Sequence, residues 1–381
     1  MTETIARARL LSVAATEKTT WLFVALTLDD GRTGWGESSL GGREAAVRAA
    51  ADALFPTLVG AAPGDPDGMT ARFPFHDQPN AALSSAVAQA LWDLDAQRAG
   101  VCLAERLGGR RRDRVGLYAN INRRTRDRSP EGMAASADDA RVAGFDAFKI
   151  APFDEVKADL SRTDMRKGME TGLARVAAIR DAVGPDARLM VDCHWRFDAT
   201  GAEELIGASR GLELYWIECP VSEDPDMIPV IRDLRHKANA SGIRLAGLET
   251  KILADGFRPY LEGGAYDVMM PDVKYAGGPA EMLRIAALFA EHGAQFSPHN
   301  PTGPICHAQS LHVCAALADS DLLEHQYDEC AAFDAIVGNA FAPAQKGSVA
   351  LDWTRPGLGI ALTEDCGATI ETEMHAGDSK A

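Results

Sequence analysis

The stretch "ARLMVDCHW", residues 187 to 195, sets a carboxylate, a thiol, an imidazole and an indole in consecutive positions directly after an apolar run. The run reads as a strand buried on both faces. Its end reads either as polar surface or as the rim of a site. The same figure recurs on either side. Upstream lie "VGLYANI" (115–121) and "FDAFKIA" (145–151); downstream lie "LELYWIEC" (212–219), "GIRLAGLE" (242–249), "YDVMMPD" (266–272), "AQFSPHN" (294–300) and "DLLEHQ" (321–326). Helical periodicity fills the gaps, as in "GLARVAAIRDAVG" and "GPAEMLRIAALFAEHG". Eight strands with helical crossovers over roughly 230 residues predict a (β/α)7β TIM-like barrel rather than a doubly wound sheet.

The flanks read differently. "WLFVALTLDDGRTGWGE" (21–37) is a hairpin pattern, and two helical stretches follow before "LGGRRRDRVG" breaks the rhythm. Residues 1–113 are therefore expected to form an α+β domain, 114–350 the barrel, and 351–381 a C-terminal segment. Formal net charge is −16, which argues against a nucleic-acid or anionic-membrane partner. The basic run at 110–128 reads as a solvated segment near the domain junction. Seven cysteines, an odd number without a CxxC, fit a reduced cytoplasmic protein. The N-terminal residues are too polar for a signal peptide, and no apolar run approaches a membrane span.

Chemistry in such a barrel gathers at the carboxyl ends of the strands. Those ends carry Lys149, Asp192, Glu218, Glu249, Asp272, His299 and Glu324, with His194 and Lys274 just beyond two of them. One such residue after a strand is commonly a loop residue or helix cap; seven strands repeating it point to a site. Asp192, Glu218 and Glu249 come from adjacent strands, and three converging carboxylates repel without a cation. All-oxygen donors favour Mg2+ over zinc. Cys193 is expected to face away from the rim. Asp272 and His299 lie on neighbouring strands, where a carboxylate would orient and strengthen a histidine base. His194, two residues past Asp192, is expected on the same face as that ligand.

These positions resemble the enolase superfamily, in its mandelate racemase-like group. "LMVDC", "YWIECP" and "AGLET" resemble its three metal-ligand strands, and "MMPDVKYAGG" and "FSPHNPTGP" its Asp–His strands. "DDGRTGWGE" resembles its capping domain, and "TRPGLGIAL" (355–362) its return to that cap. The resemblance implies removal of the proton alpha to a carboxylate, to give an enediolate held by Mg2+. It also implies a small-molecule acid substrate and a homo-oligomer.

Racemases of the group carry Lys-x-Lys on the second strand. Here "FKIAPF" supplies Lys149 but puts Ala151 at the second position, which disfavours racemisation. Asp192-x-His194 and the loop around His299 resemble galactonate- and mannonate-type sugar-acid dehydratases. By that likeness His299 is the base, His194 the acid for the leaving hydroxyl, Lys149 the partner of the substrate carboxylate, and Glu324 a hydrogen-bond partner opposite. The expected activity is dehydration of an acid sugar to a 2-keto-3-deoxy acid. Epimerisation or cycloisomerisation from the same dyad is the alternative, and a barrel that has lost catalysis is a third reading. Specificity is expected to involve a cap loop at 12–21 lying over the barrel mouth.

Overall fold

The computed structural model describes residues 3–157 and 159–378. The N-terminal part pairs β1 (Ile5–Ala14), β2 (Thr20–Leu28) and β3 (Thr33–Glu37) antiparallel, and helices α1 (Glu44–Leu58), α2 (Pro66–Thr70), α3 (Gln78–Ala99) and α4 (Leu103–Arg106) follow. The glycines of "TGWGE" are dictated by α3. A Cβ on Gly34 would lie 2.1 Å from the Ala90 carbonyl oxygen, and one on Gly36 would lie 1.9 Å from that of Ala86. Only a bare backbone lets strand and helix approach so closely. Asp77 caps α3 through the Asn80 amide, and Gly100, at φ 69°, ends it.

The barrel alternates β4 (Val115–Asn120), α5 (Pro130–Val142), β5 (Ala147–Ile150), α6 (Arg162–Val183), β6 (Arg188–Asp192), α7 (Ala199–Ala208), β7 (Leu214–Glu218), α8 (Ile228–Asn239), β8 (Arg244–Gly247), α9 (Leu253–Glu262), β9 (Val268–Met269), α10 (Pro279–His292), β10 (Gln295–Phe296), α11 (Pro304–Ala316) and β11 (Leu323–Gln326). Neighbouring strands are parallel in chain order, and β4 also pairs with β11. The seam between β10 and β11 closes through Asp321 N to Phe296 O (2.8 Å) and Glu324 N to Pro298 O (3.2 Å). β9 and β10 are shorter than the apolar runs that contain them. Pro271 and Pro298 have no N–H to donate, so the ladder stops before the site residues that follow.

Inside the barrel, Tyr118, Ala147, Met190, Trp216, Met270 and Leu322 belong to one buried apolar cluster. Successive side chains on a strand alternate faces, so the residues two further on also point inward. They are Asn120, Lys149, Asp192, Glu218, Asp272 and Glu324, all buried. An apolar layer thus supports a polar one above it. β8 breaks the phase. Ala246 lies in the same apolar cluster, yet Leu248 packs in the outer core and Glu249 takes the polar position. Leu248 adopts φ 74°, a left-handed conformation rare for a branched residue, and this shifts the phase by one.

Beyond the barrel, β12 (Ser348–Val349) pairs with the start of β4, and β13 (Thr369–His375) pairs with β1 to complete the N-terminal sheet. Asp93 of α3 fixes the returning chain, accepting from Leu358 N at 2.8 Å and Trp35 N at 2.9 Å. The basic run is used in ion pairs. Arg110 meets Asp113, Arg112 meets Asp319, Arg124 meets Asp139 and Asp328, and Arg128 meets Asp154. Among the described residues, no helix is long and apolar enough to cross a membrane.

Candidate active site

Asp192, Glu218 and Glu249 end or follow three adjacent strands, and one carboxylate oxygen of each lies within 4.8 Å of the other two. Burial, with Asp192, Glu249 and Glu324 nearby, pushes the Glu218 carboxyl up to about 8 against the pull of Lys149. Glu249 Oε2 is buried with no hydrogen-bond partner. Three carboxylates gathered at one point, one of them with an oxygen that no hydrogen bond satisfies, fit a hard cation with oxygen ligands. Cys193 turns away, packing in the core outside the barrel.

Beside this cluster, His299 Nδ1 lies 2.9 Å from Asp272 Oδ2, which fixes the ring. Nε2 then faces Glu249 Oε2 at 3.5 Å and Glu324 Oε2 at 3.8 Å. Burial disfavours the imidazolium, yet the charges of Glu249 and Glu324 and the bond to Asp272 hold His299 at about 9. A second cation shares Asp272: Lys274 Nζ lies 2.9 Å from the same Oδ2. Burial works against the Asp272 anion, but Lys274 and His299 keep it below the ordinary carboxylate range.

Lys149 is fully buried. Its Nζ lies 2.7 Å from Glu218 Oε1 and 3.1 Å from Glu324 Oε1. Both oxygens of Glu324 are engaged, Oε1 by Asn120 Nδ2 (2.6 Å) and Lys149, Oε2 by Asn300 N (2.9 Å). Burial raises the Glu324 carboxyl, but Lys149, His299 and these amides outweigh it and bring it to about 2. It is an anion with no proton to donate.

His194 sits near Asp192, but not for the reason of strand alternation. β6 stops at Asp192; His194 and Trp195 take φ of 47° and 56° in a left-handed turn. That turn brings the backbone N–H of His194 to Asp192 Oδ1 (2.9 Å) and its Nε2 to Asp192 Oδ2 (2.7 Å), with two-fifths of the side chain exposed.

Sequence reading assigned no role to Glu37, at the end of β3. Its buried carboxylate crosses to the barrel and accepts from Gly303 N (2.7 Å) and Cys306 N (2.9 Å) at the start of α11, and from Ser39 Oγ (2.7 Å). α11 directly follows the loop that carries His299 and Asn300. The turn between β1 and β2 touches the loop after β11, where Thr19 Oγ1 donates to Glu329 Oε1 (2.7 Å).

Residues 2–108 match the family model for the mandelate racemase/muconate lactonizing enzyme N-terminal domain, and 132–366 that for the enolase C-terminal domain-like family. A D-galactonate dehydratase from Xanthomonas campestris pv. campestris is 31% identical over 357 residues, covering 91% of this chain and 89% of that protein. An enolase from Agrobacterium radiobacter, solved with sodium and L-malate bound, superposes with a TM-score of 0.82 at 28% identity, covering 95% of this chain and 94% of its own. A mandelate racemase/muconate lactonizing enzyme from Jannaschia sp. CCS1 gives a TM-score of 0.84 at 26% identity, covering 95% and 96%. The chain belongs to the mandelate racemase/muconate lactonizing enzyme family of the enolase superfamily, and it is an enzyme of the dehydratase, carbon–oxygen lyase kind.

Proposed function

We propose that this family member dehydrates an acid sugar in the presence of Mg2+, with D-galactonate the first substrate to try. The observation that carries the reading is the pairing of an orphan-bearing three-carboxylate cluster with a histidine braced by Asp272. Asp192, Glu218 and Glu249 would hold the cation, which when bound supplies charge stabilisation to the substrate's carboxylate oxygens.

The remaining work falls to this chain's own side chains. His299 Nε2 removes the α-proton; Asp272 keeps Nδ1 protonated and stabilises the imidazolium that forms. Its elevated basicity depends first on the charge of Glu249 and Glu324. Neutralising the Glu249 charge therefore brings His299 toward the neutral form a base requires. The electron pair released at the α-carbon moves onto the substrate carboxylate as an enediolate. Its collapse expels the β-hydroxyl, which takes a proton from His194 and leaves as water. The enol then tautomerises to a 2-keto-3-deoxy acid.

Lys149 supplies positive charge where negative charge grows. Glu324, ionised and engaged at both oxygens, serves to hold Lys149 and Asn300 and not to donate a hydrogen bond. The site uses one strand-borne base, because Ala151 offers none on the facing side.

A screen of aldonic and aldaric acids with Mg2+, reading 2-keto product as its semicarbazone, tests the reading. Product from D-galactonate or a related acid supports it. Solvent-deuterium exchange at the α-carbon without loss of water would replace it with epimerisation, and neither product nor exchange across the panel would sink it.

A further inference from the structure

We infer that Glu223, a buried carboxyl outside the acid cluster, is the positioning residue that sets the third carboxylate of that cluster. Inward phase on β8 should pass from Ala246 to residue 248, as it does by steps of two on six other strands. It passes to Glu249 because Leu248 is left-handed. A branched residue holds such a conformation only when its surroundings over-determine it.

The surroundings are supplied by Glu223. Its Oε1 accepts from Leu248 N at 2.7 Å and from Tyr266 OH at 2.9 Å, and the Cys219 thiol approaches it at 3.7 Å. The carboxylate lies flat against the preceding residue: a Cβ on Gly247 would stand 2.4 Å from Glu223 Oε1 and 2.8 Å from the Tyr266 ring. The Glu223 carbonyl is held in turn by Lys251 Nζ (2.9 Å) and Tyr260 OH. Thus the loop after β7, which carries Glu218, is stitched to the loop after β8 at the one residue whose backbone angle decides whether Leu248 or Glu249 faces the barrel axis. Without the Glu223 acceptor, Leu248 can relax to an ordinary β conformation. The strand then returns to its two-residue phase and turns Glu249 out of the cluster.

The inference rests on the cation-site reading above, so its test measures cation binding directly. Metal-stripped protein is titrated with Mn2+, and free Mn2+ is read by electron paramagnetic resonance. Glu223→Leu should weaken uptake by roughly 10- to 100-fold, the usual cost of losing a group that orients a ligand. Glu223→Gln keeps an oxygen for the Leu248 amide and should bind close to wild type. Adding Leu248→Gly to Glu223→Leu should recover most of the loss, because glycine takes the left-handed angle without a Cβ penalty. Tyr266→Phe, which removes one donor to the same oxygen and leaves the packing in place, should weaken uptake in the same direction by a smaller factor. That variant keeps the test open if Glu223→Leu fails to fold. Wild-type affinity in both Glu223→Leu and Tyr266→Phe overturns the inference, as does a Gln variant as weak as the Leu variant or a double variant that recovers nothing. Wild-type protein that takes up no Mn2+ would instead overturn the cation-site reading itself.

Discussion

Two sets of buried carboxylates sit in this molecule and are satisfied in different ways. At the junction of cap and barrel, Glu37 and Asp93 accept from backbone amides of Gly303, Cys306, Trp35 and Leu358. At the barrel mouth, Asp192 accepts from His194 and Glu218 from Lys149 and Trp216, yet both crowd against Glu249, and one oxygen of Glu249 has no hydrogen-bond partner. Fixed amide dipoles make the first set part of the fold. The second set concentrates like charge at one point, which a bound cation would relieve, and it matches the pattern of a site kept for function at the expense of stability.

The largest effects should separate the two sets by activity. His299→Asn and Glu218→Gln should each lower dehydration by roughly 10²- to 10⁴-fold, and Glu218→Gln should do so while the protein unfolds at or above the wild-type denaturant midpoint. A parallel loss of stability in Glu218→Gln would erase the distinction. At the junction the order reverses. Glu37→Leu strands two backbone N–H groups and the Ser39 hydroxyl, and should cost about 3–5 kcal/mol in equilibrium unfolding. It should also lower turnover, since α11 anchors the His299 loop.

pH sharpens the contrast. In metal-free protein the Glu218 carboxyl stands at about 8 against an ordinary 4.5, and His299 at about 9 against 6.5. Both are raised, so the stability they contribute is complete below their ordinary values and is lost as pH rises through 8 and 9. Saturating Mg2+ should abolish that loss, because the cation replaces the protons. Burial lifts Asp93 to about 6 from 3.8. Its contribution is complete below 3.8, is lost as pH rises through 6, and should not respond to Mg2+. Denaturant midpoints from pH 4 to 9, with chelator or Mg2+, test both windows; a Mg2+-insensitive loss above pH 7 would contradict the assignment.

Smaller effects calibrate the rest. Glu249→Gln should leave metal-free protein within about 1 kcal/mol of wild type, because it relieves repulsion by Asp192 and Glu218 but gives up attraction to His299, and a strongly destabilised variant would show that Glu249 is structural. Asp139→Asn removes an exposed partner of Arg124 and should shift unfolding by about 0–1 kcal/mol without touching turnover.

The barrel was legible because its strands are buried on both faces and so read as apolar runs, each followed by its polar end. Residues 149, 192, 218, 272 and 324 read as polar strand ends, whereas Asn120, which donates to Glu324, sits in an apolar run and is not singled out. Glu249 is off the two-residue period, and the sign of φ at Leu248, which decides it, has no signature in a leucine. His194 reaches Asp192 through a left-handed turn that residue types did not announce. Glu37 reads as part of a hairpin, but its partners lie 266 and 269 positions away, beyond any local pattern. Engagement of Lys149 and Glu324 with each other is likewise a matter of which side chains meet across the barrel.

The pairing of β13 with β1 bears on how the chain is made. Ser12 and Glu371, hydrogen-bonded through their side chains, are 359 positions apart. During synthesis β1 and β2 emerge first, yet the outer edge of β1 stays open until almost the whole barrel has followed. An open edge is a template for a strand from another chain. Arg7 and Arg9 lie along β1 in the register later taken by β13, where Arg7 meets Glu373. Those charges discourage a stray neutral strand during the wait and favour the acidic "TIETEMH" when it arrives.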